Sequence, residues 1–201
     1  MIAIIDYDAG NIKSVEKALE SLGQEVVITR DPEILLSASK VILPGVGAFG
    51  DAMSRLNEYG LVEVIHKIVD KKTPFLGICL GLQLLFDSSE EAPGVKGLSI
   101  LPGKIVRFPA KIGLKIPQIG WNALKQPNKG RLFNGIEDGE FVYFVHSYYL
   151  KADELSDVVA TTEYGVTVHA AVERDNVFAC QFHPEKSSDV GLKILKNFIE
   201  L

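Results

Sequence analysis

The amino-acid sequence predicts a single α/β domain with a mainly parallel central sheet flanked by helices and with additional antiparallel strands in its C-terminal half. Two observations predict this fold. Strand-like and helix-like segments alternate over the first 80 residues, and β-rich stretches dominate from about residue 97. The chain has 201 residues, of which 47% are hydrophobic, so it can bury one substantial core. We therefore expect one domain that spans residues 1–201.

The N-terminal half contains four apolar runs with the length of buried strands. They lie at 2–5, 24–29, 40–43 and 74–78. After the first run, apolar residues recur at helical spacing and a glycine then fits a helix stop. These residues are Val15, Ala18, Leu19, Leu22 and Gly23. Further helical patterns cover 51–56 and 61–69, and this alternation predicts a parallel sheet with helices on both faces.

The C-terminal half is rich in β-forming residues. The β-rich stretches are 104–108, 140–150, 158–162, 166–172 and 177–182. We expect them to extend the sheet with antiparallel strands. A last amphipathic helix begins at Asp189, and its apolar face should pack back onto the core. That face consists of Leu192, Leu195, Phe198 and Ile199.

Charge and composition exclude several classes of function. A net charge of −5 leaves no broad basic surface for nucleic acid. The first residues lack the pattern of a signal peptide, and no apolar run approaches the roughly 20 residues that span a bilayer, so we expect a soluble cytoplasmic protein without a membrane partner. Cys79 and Cys180 form no CxxC spacing, and His66, His146 and His169 have no second metal-type ligand nearby. We expect no disulfide framework, no metal and no cofactor.

Residues 75–83, with the sequence FLGICLGLQ, have the form of a nucleophile elbow. A strand-to-helix turn this sharp needs small neighbours, and Gly77 and Gly81 flank Cys79 at two residues on either side. At the start of a helix, unpaired amides and the macrodipole favour the reactive thiolate. A helical pattern follows at Leu82, Leu85 and Phe86. A free cysteine is more often a small buried hydrophobic residue, but the flanking glycines argue against that alternative here.

A second segment, QFHPE at 181–185, ends a predicted strand about a hundred residues later. A cysteine nucleophile that cleaves an amide needs a general base and a proton donor for the leaving amine, and His183 suits both roles. Glu185 could hydrogen-bond the far ring nitrogen and hold the useful tautomer, while Pro184 stiffens the spacing. A histidine near a glutamate means little by itself. Its pairing with the elbow makes it a candidate catalytic pair.

The third segment is glycine-rich and follows the run at 40–43. Residues 45–50 match the dinucleotide fingerprint G-x-G-x-x-G literally. That fingerprint also requires an acidic residue at a strand end about 20 residues further on, whereas Asp70 closes a helical pattern. We favour a different use of this loop, as exposed backbone. Amides of Val46 and Gly47, together with the Leu80 amide after the nucleophile, could form an oxyanion hole.

The elbow and the QFHPE segment together resemble the class I, or triad, glutamine amidotransferases. Within that family the sequence is most similar to the glutaminase subunits of imidazole glycerol phosphate synthase, an enzyme of histidine biosynthesis. Besides the two motifs, the similarity extends over stretches distributed through nearly the whole chain. These are 10–15, 43–49, 120–122, 143–149 and 183–187.

The resemblance implies roles for individual residues. Cys79 would form a glutamyl thioester, His183 would shuttle the proton, and Glu185 would orient His183. A further group would hold the glutamine substrate. This group consists of Gly47, Gln83 and the backbones of Ser147 and Tyr148.

The resemblance also implies a partner, because ammonia that is released in water is mostly protonated and needs a shielded route to an acceptor. The partner would be a cyclase subunit that forms a heterodimer with this chain and makes imidazole glycerol phosphate. Four residues would face it around the ammonia exit: Asn11, Trp121, Tyr143 and Lys186. The two aromatic residues could instead belong to the core, and the other two could be solvated surface groups.

The sequence departs from the family pattern at two places. The family commonly has a glycine near Asp8 and Ala9, and a histidine near Gln118. Neither position is part of the triad, so these departures affect the expected detail of the partner-facing loops and leave the chemistry unchanged.

Three alternatives remain open at the level of sequence. The chain could be the glutaminase subunit of an anthranilate or aminodeoxychorismate synthase, which would keep the triad and change the partner. It could be a hydrolase or chaperone of similar fold, although Gln83 and the residues 183–185 argue against this. It could also be a non-catalytic scaffold subunit, but a decayed member of the family should lack Cys79 or His183.

Overall fold

The strands form one large sheet and two small ones in the computed structural model, which describes residues 1–111 and 113–201. In chain order they are β1 (Ile2–Ile5), β2 (Val26–Thr29), β3 (Lys40–Leu43), β4 (Phe75–Ile78), β5 (Ser88–Ser89), β6 (Gly103–Arg107), β7 (Gln118–Ala123), β8 (Phe141–His146), β9 (Tyr148–Ala152), β10 (Val158–Glu163), β11 (Thr167–Arg174) and β12 (Val177–Cys180). The helices are α1 (Ile12–Ser21), α2 (Pro32–Ser37), α3 (Phe49–Glu58), α4 (Leu61–Asp70), α5 (Leu80–Leu84) and α6 (Ser188–Ile199).

The large sheet has seven strands in the order β10-β11-β12-β4-β3-β1-β2. The five strands from β12 to β2 run parallel. At one edge, β11 pairs antiparallel with β12, and β10 pairs antiparallel with β11. Strands β1, β4 and β12 are buried along their whole length, as expected for parallel strands that are covered on both faces. The predicted α/β domain with a mainly parallel sheet is confirmed.

Helices cover both faces of this sheet. One apolar cluster contains buried side chains of α3 and α4, such as Leu56 and Ile65. The other contains Leu19 of α1 together with Leu195 and Phe198 of α6, and Ile199 packs against it, as predicted for the last helix. Leu192 of the predicted face is not among its residues, and Ile194 takes that place. In the described part of the chain, no helix combines the length and the apolar character that crossing a bilayer requires.

The prediction that the β-rich stretches all extend the large sheet with antiparallel strands was wrong for three of them. The stretch 177–182 forms β12, which joins the large sheet parallel to β4, and the other two lie outside that sheet. Strand β6, from the stretch 104–108, pairs with β5 and β9 in a small separate sheet. The stretch 140–150 is divided at Ser147 into β8, which pairs with β7, and β9, which pairs with β6. The buried positions alternate up to His146 and shift to Tyr149 and Leu150 after the break. Apolar and aromatic residues stand on both sides of Ser147, so the sequence alone indicates one β-rich stretch.

Helix α2 and strand β7 were missed at the sequence level, and only the helix has a clear local signal. Helix α2 begins after Asp31, whose side chain accepts a hydrogen bond from the Glu33 amide, and Pro32 occupies its first turn. An aspartate followed by proline is a recognised helix start. Strand β7 carries Gly120 and is largely exposed, so it lacks the apolar alternation that marks the other strands.

Two glycines allow the elbow to pack tightly against the sheet. A Cβ atom at Gly81 would lie 1.9 Å from the Leu43 carbonyl oxygen, and one at Gly77 would lie 2.7 Å from the Gly81 carbonyl oxygen. Real Cβ atoms do not approach backbone oxygens this closely. The backbone of α5 can therefore contact β3 and β4 only because both positions lack a side chain.

We expect Gly81→Ala to destabilise the protein by about 3 kcal/mol, because the new methyl group forces α5 away from the Leu43 carbonyl. Urea unfolding followed by circular dichroism measures the change. Gly50→Ala is the matched control, since Gly50 lies in α3 and a Cβ atom there would be 3.3 Å from the Ala92 Cβ atom. Equal unfolding midpoints for the two variants would contradict the prediction.

Candidate active site

Cys79 occupies the sharp turn between β4 and α5. Its backbone lies at φ 55° and ψ −107°, a positive φ that is costly for any residue other than glycine. Its amide donates a 2.8 Å hydrogen bond to the carbonyl oxygen of Cys180 at the end of β12. The helix that follows ends at Leu84, so it is shorter than the pattern through Phe86 suggested. The side chain is held at the carboxyl edge of the sheet by backbone on both sides.

His183 and Glu185 follow β12, next to Cys79. The His183 Nδ1 atom lies 2.7 Å from the Glu185 Oε1 atom, and both side chains are almost entirely buried. A carboxylate can only accept a hydrogen bond, so the proton sits on Nδ1 and the second ring nitrogen, Nε2, remains for chemistry. The Nε2 atom has no hydrogen-bond partner among the described residues.

The charge state of His183 depends on its two neighbours. Burial by itself lowers the pKa of His183, but the adjacent Cys79 sulfur and the hydrogen-bonded Glu185 carboxylate outweigh it and raise the pKa to about 9. The imidazole is therefore protonated at neutral pH and can stabilise a thiolate on the cysteine beside it. A protonated histidine next to a thiolate is the arrangement that amide cleavage by cysteine requires.

A cavity of about 290 Å³ opens at Cys79. Its lining contains most of the residues that the sequence singled out: Val46, Gly47, Cys79, Leu80, Gln83, Ser147, Tyr148 and His183. Glu185 lies behind His183. The sequence analysis gave no site role to Glu91, Pro117, Val145 and His146, which also line this cavity. A larger cavity of about 660 Å³ near Arg131 and Glu173 contains none of the predicted site residues.

The predicted oxyanion donors are not all free. The Leu80 amide donates a 3.3 Å hydrogen bond to the carbonyl oxygen of Gly45. The neighbouring Pro44 carbonyl is held by the hydroxyl of Tyr7 at 2.7 Å. Gly47 has a φ of 103°, which favours glycine. The loop at 44–47 thus lies over the elbow. Its Gly45 carbonyl oxygen occupies the place where a hydrogen-bond donor to an oxyanion is expected.

Two of the predicted substrate-binding residues, Gln83 and Tyr148, belong to a buried hydrogen-bond chain. The Gln83 Nε2 atom donates to the Tyr148 carbonyl and to the Gln181 Oε1 atom, both at 3.0 Å. The Gln181 Nε2 atom lies 3.7 Å from the Cys79 Sγ atom and donates to it. Sequence reasoning assigned no role to Gln181. The signal was available, because a glutamine that follows an apolar buried strand needs a polar partner.

Of the three remaining histidines, His146 and His169 form hydrogen bonds through their side chains. His146 binds the Tyr148 carbonyl through Nδ1 at 2.8 Å and Gln118 through Nε2 at 3.0 Å, and burial lowers its pKa to about 4. His169 accepts a hydrogen bond from the Ala152 amide. His66 lies in α4. Among the described residues, no group of three or more His, Cys, Asp or Glu side chains could hold a metal ion.

Two of the residues that were predicted to face a partner, Trp121 and Tyr143, lie on one exposed face. Strands β7 and β8 form a two-stranded ribbon in which Trp121 is paired with Tyr143, and their rings are 6.1 Å apart. Trp121 is 52% exposed and is therefore not a core residue. Ile119 and Phe141, on the same strands, are also exposed. We call the exposed side of Ile119, Trp121, Phe141 and Tyr143 the ribbon face.

Asn11 and Lys186 differ in their surroundings. Lys186 is exposed, one residue after Glu185. Asn11 is half-buried, and its Nδ2 atom donates a 2.8 Å hydrogen bond to the Glu185 Oε1 atom. Asn11 therefore touches the candidate triad itself, which the sequence did not predict.

Hydrogen bonds to its side chain hold Asp8 in an uncommon backbone conformation. Its φ is 62°, in the left-handed region. Its carboxylate accepts hydrogen bonds from Tyr59, Arg30 and Arg55, and the first two hold the pKa of Asp8 below its ordinary value. These contacts fix the loop that leads to Asn11.

Comparison with known proteins identifies the family. The family model described as "Glutamine amidotransferase class-I" matches residues 3–201. Imidazole glycerol phosphate synthase subunit HisH of Moorella thermoacetica is 54% identical, over 100% of this chain and 94% of that protein. The subunit of the same name from Methanocaldococcus jannaschii is 52% identical over the whole of both chains.

Solved structures show the same fold at much lower identity. A crystal structure of a glutamine amidotransferase superposes with a TM-score of 0.78 at 20% identity, and it covers 100% of this chain and 98% of that one. The glutaminase domain of Trypanosoma brucei CTPS with bound acivicin gives a TM-score of 0.69 at 17% identity, over 99% and 93% of the two chains. Because the family model matches nearly every residue and relatives share half of their residues over their full lengths, this chain belongs to the class-I glutamine amidotransferases, in the family of imidazole glycerol phosphate synthase subunit HisH.

Proposed function

We propose that this chain is the glutaminase subunit of imidazole glycerol phosphate synthase, which hydrolyses L-glutamine to glutamate and ammonia. The observation that carries the proposal is the buried alignment of Cys79, His183 and Glu185 beside a cavity, in a chain of this family. An intact triad argues against a non-catalytic scaffold. The relatives at about 50% identity favour the histidine pathway over the anthranilate alternative.

In the first half of the proposed reaction, the Cys79 thiolate attacks the side-chain amide carbon of glutamine and a tetrahedral oxyanion forms. The protonated Nε2 atom of His183 then donates its proton to the departing nitrogen. The carbon–nitrogen bond breaks, ammonia leaves, and a glutamyl thioester remains on Cys79. Glu185 supports this step because its carboxylate stabilises the imidazolium and fixes the ring through Nδ1.

In the second half, water attacks the thioester carbon and His183 accepts a proton from it through Nε2. The carbon–sulfur bond breaks, glutamate leaves, and the cysteine and histidine return to their starting states. The reaction needs only water besides glutamine. It requires that Cys79 stay a reduced thiol, which supports a cytoplasmic location for the enzyme.

The loop at 44–47 supports a gate on this chemistry. With the Gly45 carbonyl bound to the Leu80 amide, the oxyanion would meet a carbonyl oxygen in place of a donor. Turning the peptide between Gly45 and Val46 would remove that oxygen and direct an amide of the loop into the site. A partner that binds the turned loop better would shift the equilibrium toward it, so that glutamine is hydrolysed only when the ammonia can be used.

The ribbon face supports a separate cyclase subunit as that partner. It exposes Ile119, Trp121 and Phe141, and exposed aromatic and aliphatic side chains in one patch mark protein interfaces. Its strands also reach the cavity, because Val145 in β8 and Pro117 before β7 are part of the lining. A cyclase docked on this face would form a heterodimer with the ammonia exit at the interface.

We expect glutamate release from glutamine to rise about tenfold or more when the purified chain is mixed with a cyclase subunit and its nucleotide ligand, because the partner favours the turned loop. Cys79→Ala should abolish release in every mixture while leaving the fold and the complex intact. Glutamate release that does not change when the loaded cyclase is added would contradict the proposal that the cyclase is the partner. No release from folded, partner-bound protein would contradict the glutaminase assignment.

Glu185→Gln should move the titration midpoint of His183 from about 9 toward its ordinary value of 6.5, because the neutral amide no longer stabilises the imidazolium. NMR of the histidine ring protons measures the midpoint. Because folding raises the pKa of His183, its contribution to stability is complete below pH 6.5 and is lost as the pH rises through about 9. This loss of stability should be smaller in Glu185→Gln. Urea unfolding of both proteins below pH 6.5 and above about pH 9 measures it.

Glu137→Gln is the matched control for this experiment. It removes the same charge from an exposed position and should leave the His183 titration where it is in the unmodified chain. A midpoint that stays near 9 in Glu185→Gln would contradict the proposed role of the carboxylate.

Trp121→Ala should weaken the complex with the cyclase about tenfold or more, since large aromatic side chains dominate interface energetics. Stability of the isolated chain should change little because Trp121 is 52% exposed. Leu155→Ala serves as the control, because Leu155 is 65% exposed and lies outside the ribbon face. Titration calorimetry with the cyclase compares the two, and equal affinities would refute the ribbon face as the docking surface.

A further inference from the structure

Gln181 is a fully buried polar residue directly after β12. Its side chain makes two contacts that link the cavity wall to the nucleophile. The Oε1 atom accepts from Gln83 at 3.0 Å, and the Nε2 atom faces the Cys79 Sγ atom at 3.7 Å. An amide buried among apolar residues needs such partners, because leaving it unpaired is expensive. The hydrogen bonds of its neighbours determine which end of the amide faces the sulfur.

The Tyr148 carbonyl settles the orientation of both glutamine side chains. A carbonyl oxygen only accepts, so the Gln83 atom next to Tyr148 must be the amide nitrogen. The second hydrogen of that nitrogen points at Gln181, which must therefore present its oxygen. The Gln181 nitrogen is then left for the sulfur. Both hydrogens of the Gln83 amide are used in this chain, so it can contact glutamine only through its oxygen.

We propose that Gln181 is a further catalytic residue, whose side-chain amide donates a hydrogen bond to the Cys79 Sγ atom and stabilises its thiolate form. The proposal rests on the proposed function for the identity of the nucleophile. It assigns to Gln83 and the Tyr148 carbonyl the task of holding the Gln181 amide with its nitrogen toward the sulfur. Neither of these two groups needs to touch the sulfur itself.

The surroundings of the sulfur explain why such a donor matters. Helix α5 has only five residues and aligns few peptide dipoles, so its macrodipole gives the thiolate limited support. The Leu80 amide is occupied by the Gly45 carbonyl. His183 supplies a positive charge, and Gln181 supplies a second, neutral donor to the sulfur. A hydrogen bond to a charged group is stronger than one between neutral groups.

The test is the pH dependence of Cys79 alkylation by iodoacetamide in the full chain, with peptide mass spectrometry to distinguish Cys79 from Cys180. Gln181→Met keeps the length of the side chain and removes the donor. We expect the midpoint of the alkylation profile to move up by about one pH unit. The glutaminase kcat of the cyclase complex should fall while KM changes little, since the thiolate and not glutamine has lost a contact.

Asn197→Leu is the matched control. Asn197 is also a buried side-chain amide, and it donates to the Leu132 and Asn134 carbonyls, away from the sulfur. Its loss should lower stability without moving the alkylation midpoint. If Gln181→Met does not fold, Gln181→Glu replaces it, because a carboxylate beside the sulfur repels the thiolate and should raise the midpoint further.

An unchanged midpoint in a folded Gln181 variant would overturn the proposal. Alkylation reports on the sulfur directly and needs neither glutamine nor a partner. A chain that releases no glutamate but shows the shifted midpoint would therefore contradict the proposed function and leave the Gln181 contact standing.

Discussion

The parallel pairing of β4 with β12 is the constraint on which the site depends. Ile78 is in register with Cys180, and the Cys79 amide continues the ladder by donating to the Cys180 carbonyl. Parallel strands end at the same edge of a sheet, so the residues that follow the two strands meet there although they are 102 positions apart in sequence. Gln181 and His183 reach the nucleophile for this reason alone. A slip of one residue would turn their side chains to the wrong faces.

This constraint imposes a second one on the elbow. To leave the sheet beside β12 and start a helix at once, the chain must place Cys79 at a positive φ and bring α5 against the Leu43 carbonyl. The strain at Cys79 is tolerated because Gly77 and Gly81 remove every side-chain atom that would compete for the space. The sulfur is presented to the cavity and not packed into the core because the turn is this tight. Backbone strain and reactivity are two results of one local geometry.

The sequence predicted the large sheet well because parallel strands buried on both faces leave compact apolar runs, such as Ile2–Ile5 and Phe75–Ile78. It also placed Cys79 and His183 in one cavity, since each belongs to a motif with a local form. It failed where the structure depends on which segments become neighbours. The change of partner strand at Ser147 falls within an almost unbroken run of β-forming residues, and the contact of Asn11 with Glu185 joins residues 174 positions apart.

The hydrogen bonds around the triad indicate which part of the site can respond to a partner. His183 is fixed from two sides besides Glu185: its amide donates to the Tyr143 carbonyl at 2.9 Å, and its carbonyl accepts from the Ser187 hydroxyl at 2.6 Å. The Ser187 hydroxyl oxygen in turn accepts from the Tyr143 amide. The ribbon and the base thus form one rigid unit.

The peptide between Gly45 and Val46 is held over the elbow much more weakly, by the long contact between the Gly45 carbonyl and the Leu80 amide. Binding of a partner at the ribbon face should not displace His183, because moving this residue would break several short hydrogen bonds at once. Turning one peptide of the loop exchanges a single 3.3 Å hydrogen bond. We infer that partner binding acts on the oxyanion loop while the triad stays assembled, so that the gate regulates stabilisation of the transition state and leaves the nucleophile in place.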